Sequence, residues 1–514
     1  MAERVQGKDR AALRRPRRGV AVVFLALALV ATLVSAKSSP KASGGGSLRA
    51  ARPTTLPPTT ASASRLEAAV AAARRVARDV GVNIIDVDTG ATVYALDPDR
   101  PRVVASNTKL FTTAAALDAL GPGYLLETRV LANGSIENGE LQGDLAIVGG
   151  GDPNISGRQF GGDEYAVFRR WAADLHRRGI TRVRGRLFLV SGFFDGQEIH
   201  PDWPRDQRER WYEAPVADLS FNDNTITVRV VPGAGVGAPA TVVLEPPVDL
   251  YRIANSAVTV ASPRQQAVYV GRSADGQEIQ VGGRVALRSA GEEAVLTVPD
   301  PVAFFGAALR DALREEGIKI EGTTERVWRV PPGGWEEVTE HTSDLQSSIE
   351  TTNKLSQNFY AESLFKLLGR VRCGEGSWQA GARAMHEFLA RVGITAGTYS
   401  QVDGSGMSRN DRYAPSQITR LLRYMYQSPH GREFMRSLAY SGEDGLSWRH
   451  RLASRPYAGN VLAKTGTLDG VSSLSGYARA RSGKLYAFSI LCNGVRGWAH
   501  GAQDSIVRAL IDNH

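Results

Sequence analysis

Three short polar motifs, widely separated along the chain, constrain its folding more than any other feature. They are Ser106-Asn107-Thr108-Lys109, Ser356-Gln357-Asn358 and Lys464-Thr465-Gly466-Thr467. Each combines a hydroxyl group with an ammonium or amide group, which are the groups that an activated serine nucleophile requires. One motif alone is weak evidence, because a Ser and a Lys three residues apart also occur on ordinary helix surfaces. If the three act together, the fold must bring distant segments to one cleft.

The first motif stands where an extended stretch gives way to a helix. Ser106 follows Tyr94–Val104 and precedes Leu110–Leu117, whose apolar spacing and alanine content predict a buried helix. Residues three apart on a helix share a face, so we expect the Lys109 ammonium beside the Ser106 hydroxyl. A lysine acts as a base only when burial or a neighbouring cation lowers its pKa, and Lys464 could be that cation.

The second motif offers groups that would assist such a nucleophile. The Ser356 hydroxyl can relay a proton between the lysines and a leaving amine, and the Asn358 amide can hold a substrate backbone. A helix N-terminus at Ser106 would add a partial positive charge that favours the developing alkoxide. These groups together indicate acyl transfer.

The third motif is predicted to lie on a strand, because alternating apolar runs and a Gly turn surround it. The Lys464 charge and the hydroxyls of Thr465 and Thr467 suit a terminal carboxylate. Gly466 has no side chain, so a ligand backbone could approach the strand closely. The backbone N–H groups of Ser106 and Thr467 could form an oxyanion hole. The alternative interpretation of this motif is an ordinary polar strand end.

Together the motifs resemble the S-x-x-K, S-x-N and K-T-G set of penicillin-interacting serine enzymes. From about Leu66 to its C-terminus the chain resembles D-alanyl-D-alanine carboxypeptidases of the penicillin-binding protein 4 type, peptidase family S13. Further blocks that carry the resemblance are Gly149-Gly150-Gly151-Asp152-Pro153-Asn154, Ala214–Ser220, Asn222-Asp223-Asn224, Asp403–Arg409 and Gly442-Glu443-Asp444-Gly445. The resemblance implies an α/β (α+β) fold: a β-lactamase/transpeptidase-like antiparallel sheet flanked by helices, with a large β-rich insert between the first and second motifs.

The same resemblance implies a serine DD-peptidase, a D-alanyl-D-alanine carboxypeptidase with or without endopeptidase activity. Its partners would be peptidoglycan stem peptides ending in D-Ala-D-Ala, and β-lactam antibiotics would be covalent inhibitors. An acyl-enzyme would form on Ser106, with no metal and no cofactor. The residues implied are catalytic Ser106, Lys109, Ser356, Asn358 and Lys464, and substrate-binding Thr465, Gly466 and Thr467.

Other functions fit the sequence less well. A class A β-lactamase is disfavoured, because no deacylating Glu-x-x-Leu-Asn-like stretch lies between Asn358 and Lys464. An endopeptidase or esterase on the same fold would keep all three motifs. A non-catalytic module that binds the cell wall or a partner protein is the alternative from another class, and the complete motifs argue against it.

The N-terminus is predicted to direct export. Residues 1–18 contribute +5 to the net charge of +9 of this 514-residue chain, so no basic stripe for nucleic acid is required. An apolar run follows at 19–36, and the two segments together resemble an export signal cleaved after Ala36. An uncleaved membrane anchor is the alternative. Residues 37–64 are rich in Pro, Thr, Ser and Gly, which indicates a flexible spacer. We therefore expect an extracytoplasmic protein that meets the membrane only through 19–36.

The remaining chain divides by composition into two regions. We predict a catalytic domain from 65–122 and 298–514, and a mainly β insert at 123–297, where Gly and Pro separate short alternating runs. The sequence also predicts a first helix over Leu66–Val80, a hairpin over Val82–Leu96, and helices over Glu164–Arg178 and from Pro301, the last capped by Asp300. This last helix would begin the return to the catalytic domain.

The cysteines and histidines offer little further chemistry. Cys373 and Cys492 are the only two cysteines, and the sequence leaves open whether they form a disulfide. The eight histidines show no spacing typical of metal ligands. The cysteines are therefore not predicted to be nucleophiles, and the histidines are not predicted to bind a metal.

Overall fold

The computed structural model describes residues 60–446 and 448–514, with side chains from residue 65 onward. The predicted export segment at 1–36 and nearly all of the predicted spacer at 37–64 lie outside the described residues. Within the described part, no helix is both long enough and apolar enough to cross a bilayer. Residues 60–64 begin the first helix, so the predicted spacer extends too far at its C-terminal end.

The described chain alternates helices and strands throughout. The helices are α1 Thr60–Val76, α2 Thr108–Leu120, α3 Ala166–Arg177, α4 Pro301–Glu315, α5 Leu345–Lys354, α6 Asn358–Cys373, α7 Trp378–Val392, α8 Pro415–Gln427, α9 Gly431–Ser437 and α10 His500–Asn513. The strands are β1 Ala77–Asp86, β2 Thr92–Leu96, β3 Arg102–Val103, β4 Leu125–Glu137, β5 Glu140–Val148, β6 Arg182–Val183, β7 Leu187–Val190, β8 Thr225–Val231, β9 Thr241–Glu245, β10 Arg252–Asn255, β11 Val258–Val260, β12 Ala267–Arg272, β13 Glu278–Ala286, β14 Glu292–Thr297, β15 Lys319–Ile320, β16 Thr324–Val327, β17 Trp335–Asp344, β18 Arg412–Tyr413, β19 Ala439–Tyr440, β20 Val461–Leu468, β21 Val471–Arg479 and β22 Leu485–Val495.

A six-stranded antiparallel sheet forms the centre of the catalytic region, in the order β19-β20-β21-β22-β1-β2. Residues of α1 and α10 share one apolar core with the sheet, and residues of α2 and of α5 to α8 share another. Helices therefore cover both faces, which explains why nearly every residue of β21 and β22 is buried. The predicted fold class is confirmed.

The first helix is shorter at its C-terminal end than the sequence predicts. It ends at Val76, and residues 77–80, which were expected to be helical, begin β1. Residues 77–80 are followed by Gly81 and Val82. Because Gly and β-branched residues are poor helix formers, they do not favour continuing the helix through this segment. In the fold it pairs with β22 over its whole length, and that pairing determines the boundary. The hairpin of β1 and β2 is confirmed.

The insert contains three sheets and its own apolar core. A seven-stranded sheet contains β4 to β7 and β15 to β17, while β14-β8-β9 and β10 to β13 form two smaller sheets. The predicted helix near 164–178 is α3.

The predicted return to the catalytic domain at residue 298 is wrong. Helix α4, capped by Asp300 as expected, buries its apolar face with α3 in the insert core, and β15 to β17 complete the insert sheet. The insert therefore extends to Asp344, which caps α5.

Candidate active site

Ser106 and Lys109 lie side by side where the chain enters α2. Ser106 occupies a single 3-10 turn, Ala105–Asn107, so the α-helix begins two residues after Ser106. The fully buried Lys109 Nζ lies 3.0 Å from Ser106 Oγ, 2.6 Å from Asn358 Oδ1 and 2.8 Å from the Ser405 carbonyl oxygen. As an ammonium group it donates to all three oxygens. As a neutral amine it can accept the Ser106 proton along the first contact.

The second motif joins the two lysines to the insert. Ser356 lies between α5 and α6 with φ at +58°, a left-handed conformation that is costly for a residue with a side chain. Its Oγ accepts a hydrogen bond of 2.8 Å from Lys464 Nζ. Asn358 begins α6; its Oδ1 accepts from Lys109, and its Nδ2 donates to the Tyr212 carbonyl at 2.8 Å. The side chains of Ser356 and Asn358, two residues apart, thus contact the two lysines, Lys464 and Lys109.

The third motif lies on β20, as the sequence predicts, and β20 lies directly against the Ser106 turn. Asn107 Nδ2 donates to the Lys464 carbonyl at 2.9 Å. A Cβ atom on Gly466 would lie only 2.2 Å from Ser473 Oγ and 3.0 Å from the Ser106 backbone nitrogen. The missing side chain of Gly466 therefore makes room for the protein's own backbone, whereas we expected it to make room for a ligand. Thr467 is exposed and lines the cleft.

Burial controls the protonation of both lysines. Burial lowers the pKa of Lys109 to about 8, although the carboxyl groups of Glu362, Asp403 and Asp411 oppose that shift. The pKa of Lys464 is held well below its usual range, first by burial and then by repulsion from Lys109. Of the two causes that the sequence left open, burial and a neighbouring cation, burial is therefore the main one at Lys109. A lysine with a pKa near 8 is partly neutral at physiological pH, as a general base must be.

Two buried acidic side chains shape the loop behind Lys109. Asp403 accepts backbone N–H groups of Gly406 and Ser408, each at 2.7 Å, and Glu362 accepts those of Gly404 and Ser405 at 2.8 and 2.7 Å. These bonds hold the Ser405 carbonyl against Lys109. Sequence reasoning missed Glu362; its signal was an acidic residue inside the apolar α6. Part of this loop, 406–409, also lines the cleft.

The motifs open into a cleft with a volume of about 660 Å³. Its floor contains Ser106, Ser356 and Asn358, and one wall is formed by 467–469 and the loop 406–410. The insert supplies a further wall, and its Asp202 accepts hydrogen bonds from Ser408 and Asn410 of the loop. Its lining residues, which sequence reasoning missed, are Asp202, Pro204, Gln207, Trp211 and Tyr212. No motif marks them, since they come from an irregular segment whose position depends on the fold of the insert.

Glu213, next to this wall, is a buried acid in an unfavourable setting. Its side chain is fully buried, and within the described residues neither carboxyl oxygen has a hydrogen-bond partner. Burial raises its pKa to about 7, with Asp206 adding to the shift and Arg208 opposing it. The folded protein therefore keeps this proton at pH values where the unfolded chain has lost it. The contribution of Glu213 to the free energy of unfolding is therefore complete below about pH 4.5, and it decreases as the pH rises towards 7.

Replacing Glu213 with Gln is expected to stabilise the protein at pH 8 and to have little effect near pH 4.5. The amide keeps the shape of the protonated acid and cannot ionise, so the gain at pH 8 should be about 1–2 kcal/mol after allowance for solvent screening. Urea unfolding of both proteins across this pH range measures the difference. Glu209→Gln, at an exposed position nearby, is the matched control and should show no such pH dependence. Equal stability of Glu213→Gln and the wild type at pH 8 would contradict the prediction.

The two cysteines do not form a disulfide. Cys492 is buried in the core between the sheet and α10, and Cys373 is half-buried at the end of α6. Burial raises the pKa of Cys492 to about 12, so its thiol stays protonated and unreactive. For Cys492 this agrees with the expectation that it is not a nucleophile.

The antiparallel sheet covered by helices, with a serine–lysine pair beside β20, defines a serine peptidase of the β-lactamase and transpeptidase fold. Residues 63–512 match the profile of the D-Ala-D-Ala carboxypeptidase 3 (S13) family, and the chain belongs to that family. The resemblance stated from the motifs is confirmed.

Individual proteins agree with this assignment. The chain is 32% identical over 448 residues to a D-alanyl-D-alanine carboxypeptidase from Actinomadura sp. (strain R39), covering 84% of this chain and 81% of that protein. The crystal structure of penicillin binding protein 4 (dacB) from Haemophilus influenzae superposes with a TM-score of 0.73 at 24% identity, covering 86% and 98% of the two chains. The same protein complexed with a novel β-lactam gives a TM-score of 0.69 at 24% identity, covering 86% and 99%.

Proposed function

We propose that this chain is a serine DD-peptidase that removes the terminal D-alanine from peptidoglycan stem peptides. The observation that carries the proposal is the contact of 3.0 Å between Ser106 Oγ and the buried Lys109 Nζ, whose pKa is lowered to about 8. Membership of a D-Ala-D-Ala carboxypeptidase family supports the substrate class. The alternative of a non-catalytic binding module is not favoured, because the nucleophile Ser106 contacts its base Lys109 and the proton relay Ser356 contacts Lys464.

The first half-reaction forms an acyl-enzyme. Ser106 Oγ attacks the carbonyl carbon of the penultimate D-alanine as its proton passes to neutral Lys109. The N–H groups of Ser106 and Thr467 stabilise the oxyanion. The C–N bond then breaks, and the proton held by Lys109 passes to the leaving amine through Ser356, which is hydrogen-bonded to Lys464, so that Lys109 is again a neutral amine. D-alanine departs, leaving an ester on Ser106.

The second half-reaction releases the shortened peptide. Water attacks the ester carbonyl and gives a proton to Lys109, the C–O bond to Ser106 breaks, and Ser106 regains its proton. In both steps Asn358 keeps Lys109 in place through its contact of 2.6 Å. The hydroxyls of Thr465 and Thr467 beside Lys464 bind the carboxylate of the leaving D-alanine. A β-lactam presents a similar amide carbonyl and carboxylate, so it would acylate Ser106 as well.

The proposal includes action outside the cytoplasm. The basic segment at 1–18 followed by the apolar run at 19–36 supports export, and cleavage after Ala36 would release the enzyme from the membrane. Peptidoglycan, the proposed substrate, also lies outside the cytoplasm. N-terminal sequencing of the mature protein distinguishes cleavage from anchoring.

The test is release of D-alanine from a stem pentapeptide. We expect stoichiometric release of D-alanine and tetrapeptide, together with covalent labelling by a fluorescent penicillin. A cross-linked dimer of stem peptides, assayed in parallel, measures how much endopeptidase activity accompanies the carboxypeptidase. An intact pentapeptide and no labelled protein would overturn the proposal.

A further inference from the structure

A second and larger cavity on the insert adjoins the catalytic cleft. It is an open groove with a volume of about 1100 Å³, lined by residues 205–212, by 268–270 of β12 and by 292–296 of β14. Gln207, Trp211 and Tyr212 line both this groove and the cleft. The two cavities therefore border the same segment, and a long substrate bound at Ser106 that passes this segment reaches the groove.

Aromatic and apolar side chains are exposed along the groove. Tyr269 on β12 is 61% exposed, and Trp211, on the wall shared with the cleft, is 43% exposed. Val295 on β14 is 39% exposed. Large exposed rings at the rim of a groove next to an active site are typical of a binding surface.

The charged residues of the groove are of both signs. They comprise three arginines and four acids: Arg205, Arg208, Arg210, Asp206, Glu209, Glu292 and Glu293. Such a nearly balanced set does not favour a polyanion or a polycation. It offers both donors and acceptors to a neutral ligand that is rich in hydroxyl and amide groups.

The walls of the groove are held in place before any ligand binds. The Thr297 backbone N–H donates to the Glu209 carbonyl at 3.2 Å, and its Oγ1 donates to the Arg208 carbonyl at 2.6 Å. These bonds tie the irregular segment at 205–212 to the end of β14. A preformed groove loses less entropy on binding than a mobile one.

We propose that this groove binds the glycan of peptidoglycan, the chain of N-acetylated sugars to which the stem peptide is attached. This inference rests on the proposed function, because the stem would carry the glycan to this place. Five extended residues span about 17 Å, so the glycan of a bound stem lies within reach of a groove that begins at the cleft wall. The apolar faces of sugar rings stack on Trp211 and Tyr269, and their hydroxyl and acetamido groups bond to the mixed charges.

Contacts with the glycan add binding energy away from the reacting bond, so they should raise kcat/KM for substrates that carry the glycan. We expect the wild-type enzyme to cleave disaccharide-pentapeptide about tenfold more efficiently than the free pentapeptide. Tyr269→Ala should lower kcat/KM for the disaccharide substrate about 5- to 10-fold, the size of one lost aromatic contact, and leave the free pentapeptide unchanged. Tyr269 is the chosen site because it lines the groove and not the cleft. Trp498→Ala, which removes a ring that is 79% exposed outside the groove, is the matched control and should change neither value.

Each other outcome overturns the inference. Equal wild-type kcat/KM with and without the disaccharide would show that the glycan makes no contact. An equal loss of kcat/KM on both substrates in Tyr269→Ala would indicate a structural role. If Tyr269→Ala lowered kcat/KM only for a cross-linked peptide without sugars, the groove would bind the second stem peptide of the cross-link and not the glycan.

A binding measurement keeps the inference testable without turnover. Glycan strands freed of their stems should bind the intact protein, and Tyr269→Ala should weaken that binding about 5- to 10-fold. No binding to the wild-type protein would overturn the inference. Failure of the proposed function would instead appear as no release of D-alanine from any substrate, with the glycan titration unaffected.

Discussion

Replacing Ser106 with alanine is expected to abolish both D-alanine release and covalent labelling by penicillin. The hydroxyl oxygen is the atom that carries the acyl group, so neither reaction has a substitute for it. The fold should survive, because Ser106 Oγ takes part in only one of the three hydrogen bonds of Lys109, and the loss costs about 1 kcal/mol. Fluorescent penicillin labelling, followed by mass spectrometry of the labelled peptide, measures the effect directly.

The mapped peptide should contain Ser106 in the wild type and should be absent in the variant. Ser482→Ala, on the exposed turn between β21 and β22, is the matched control and should label normally. Labelling that persists in Ser106→Ala at another residue would remove the mechanism.

The sequence predicted those parts of the site that carry local signals. The helix after Ser106 follows from alanine content and apolar spacing, and β20 to β22 follow from alternation and a Gly turn. These elements position Ser106, Lys109 and Lys464. Their approach to one another could be expected only from the motif set and the family resemblance, because no local pattern encodes contacts between residues so far apart.

The parts that sequence reasoning missed depend on tertiary packing. The wall at 202–212 is irregular, and long-range contacts, to β14 and from Asn358 to the Tyr212 carbonyl, place Trp211 and Tyr212 at the cleft. The boundary at 298 was wrong for a similar reason. The amphipathic pattern of α4 predicts a helix, but it does not say which core receives the apolar face.

Glu362 illustrates a third kind of omission. An acid among the buried residues of α6 has a cost that must be offset by hydrogen bonds, and the donors are the backbone N–H groups of a loop about forty residues away. Burial and the neighbouring Asp403 raise the pKa of Glu362 to about 8. The sequence shows the unusual position of this acid, but only the structure shows that it shapes the loop which holds Lys109.

Replacing Lys109 with alanine is expected to lower the rate of acylation by about a thousandfold or more, the contribution of a well-placed general base. In the wild type the acylation rate should also depend on pH. The active form is the neutral amine, so the rate should rise as pH increases and level off above a pKa of about 8. Stopped-flow measurement of penicillin acylation from pH 6 to 9.5 records both effects. Lys484→Ala, on the exposed hairpin turn, is the matched control and should keep the wild-type rate and pH profile.

A further variant separates the role of Lys109 as a base from its role as a positive charge. Lys109→Arg keeps the charge, but its guanidinium stays protonated at every pH in this range and cannot accept the Ser106 proton. If Lys109 acts as the base, Lys109→Arg should be as slow as Lys109→Ala, and neither should show the rise near pH 8. Acylation of Lys109→Arg at a rate near that of the wild type would mean that the charge alone suffices. The proton of Ser106 would then have to leave by another route, through Ser356 and Lys464.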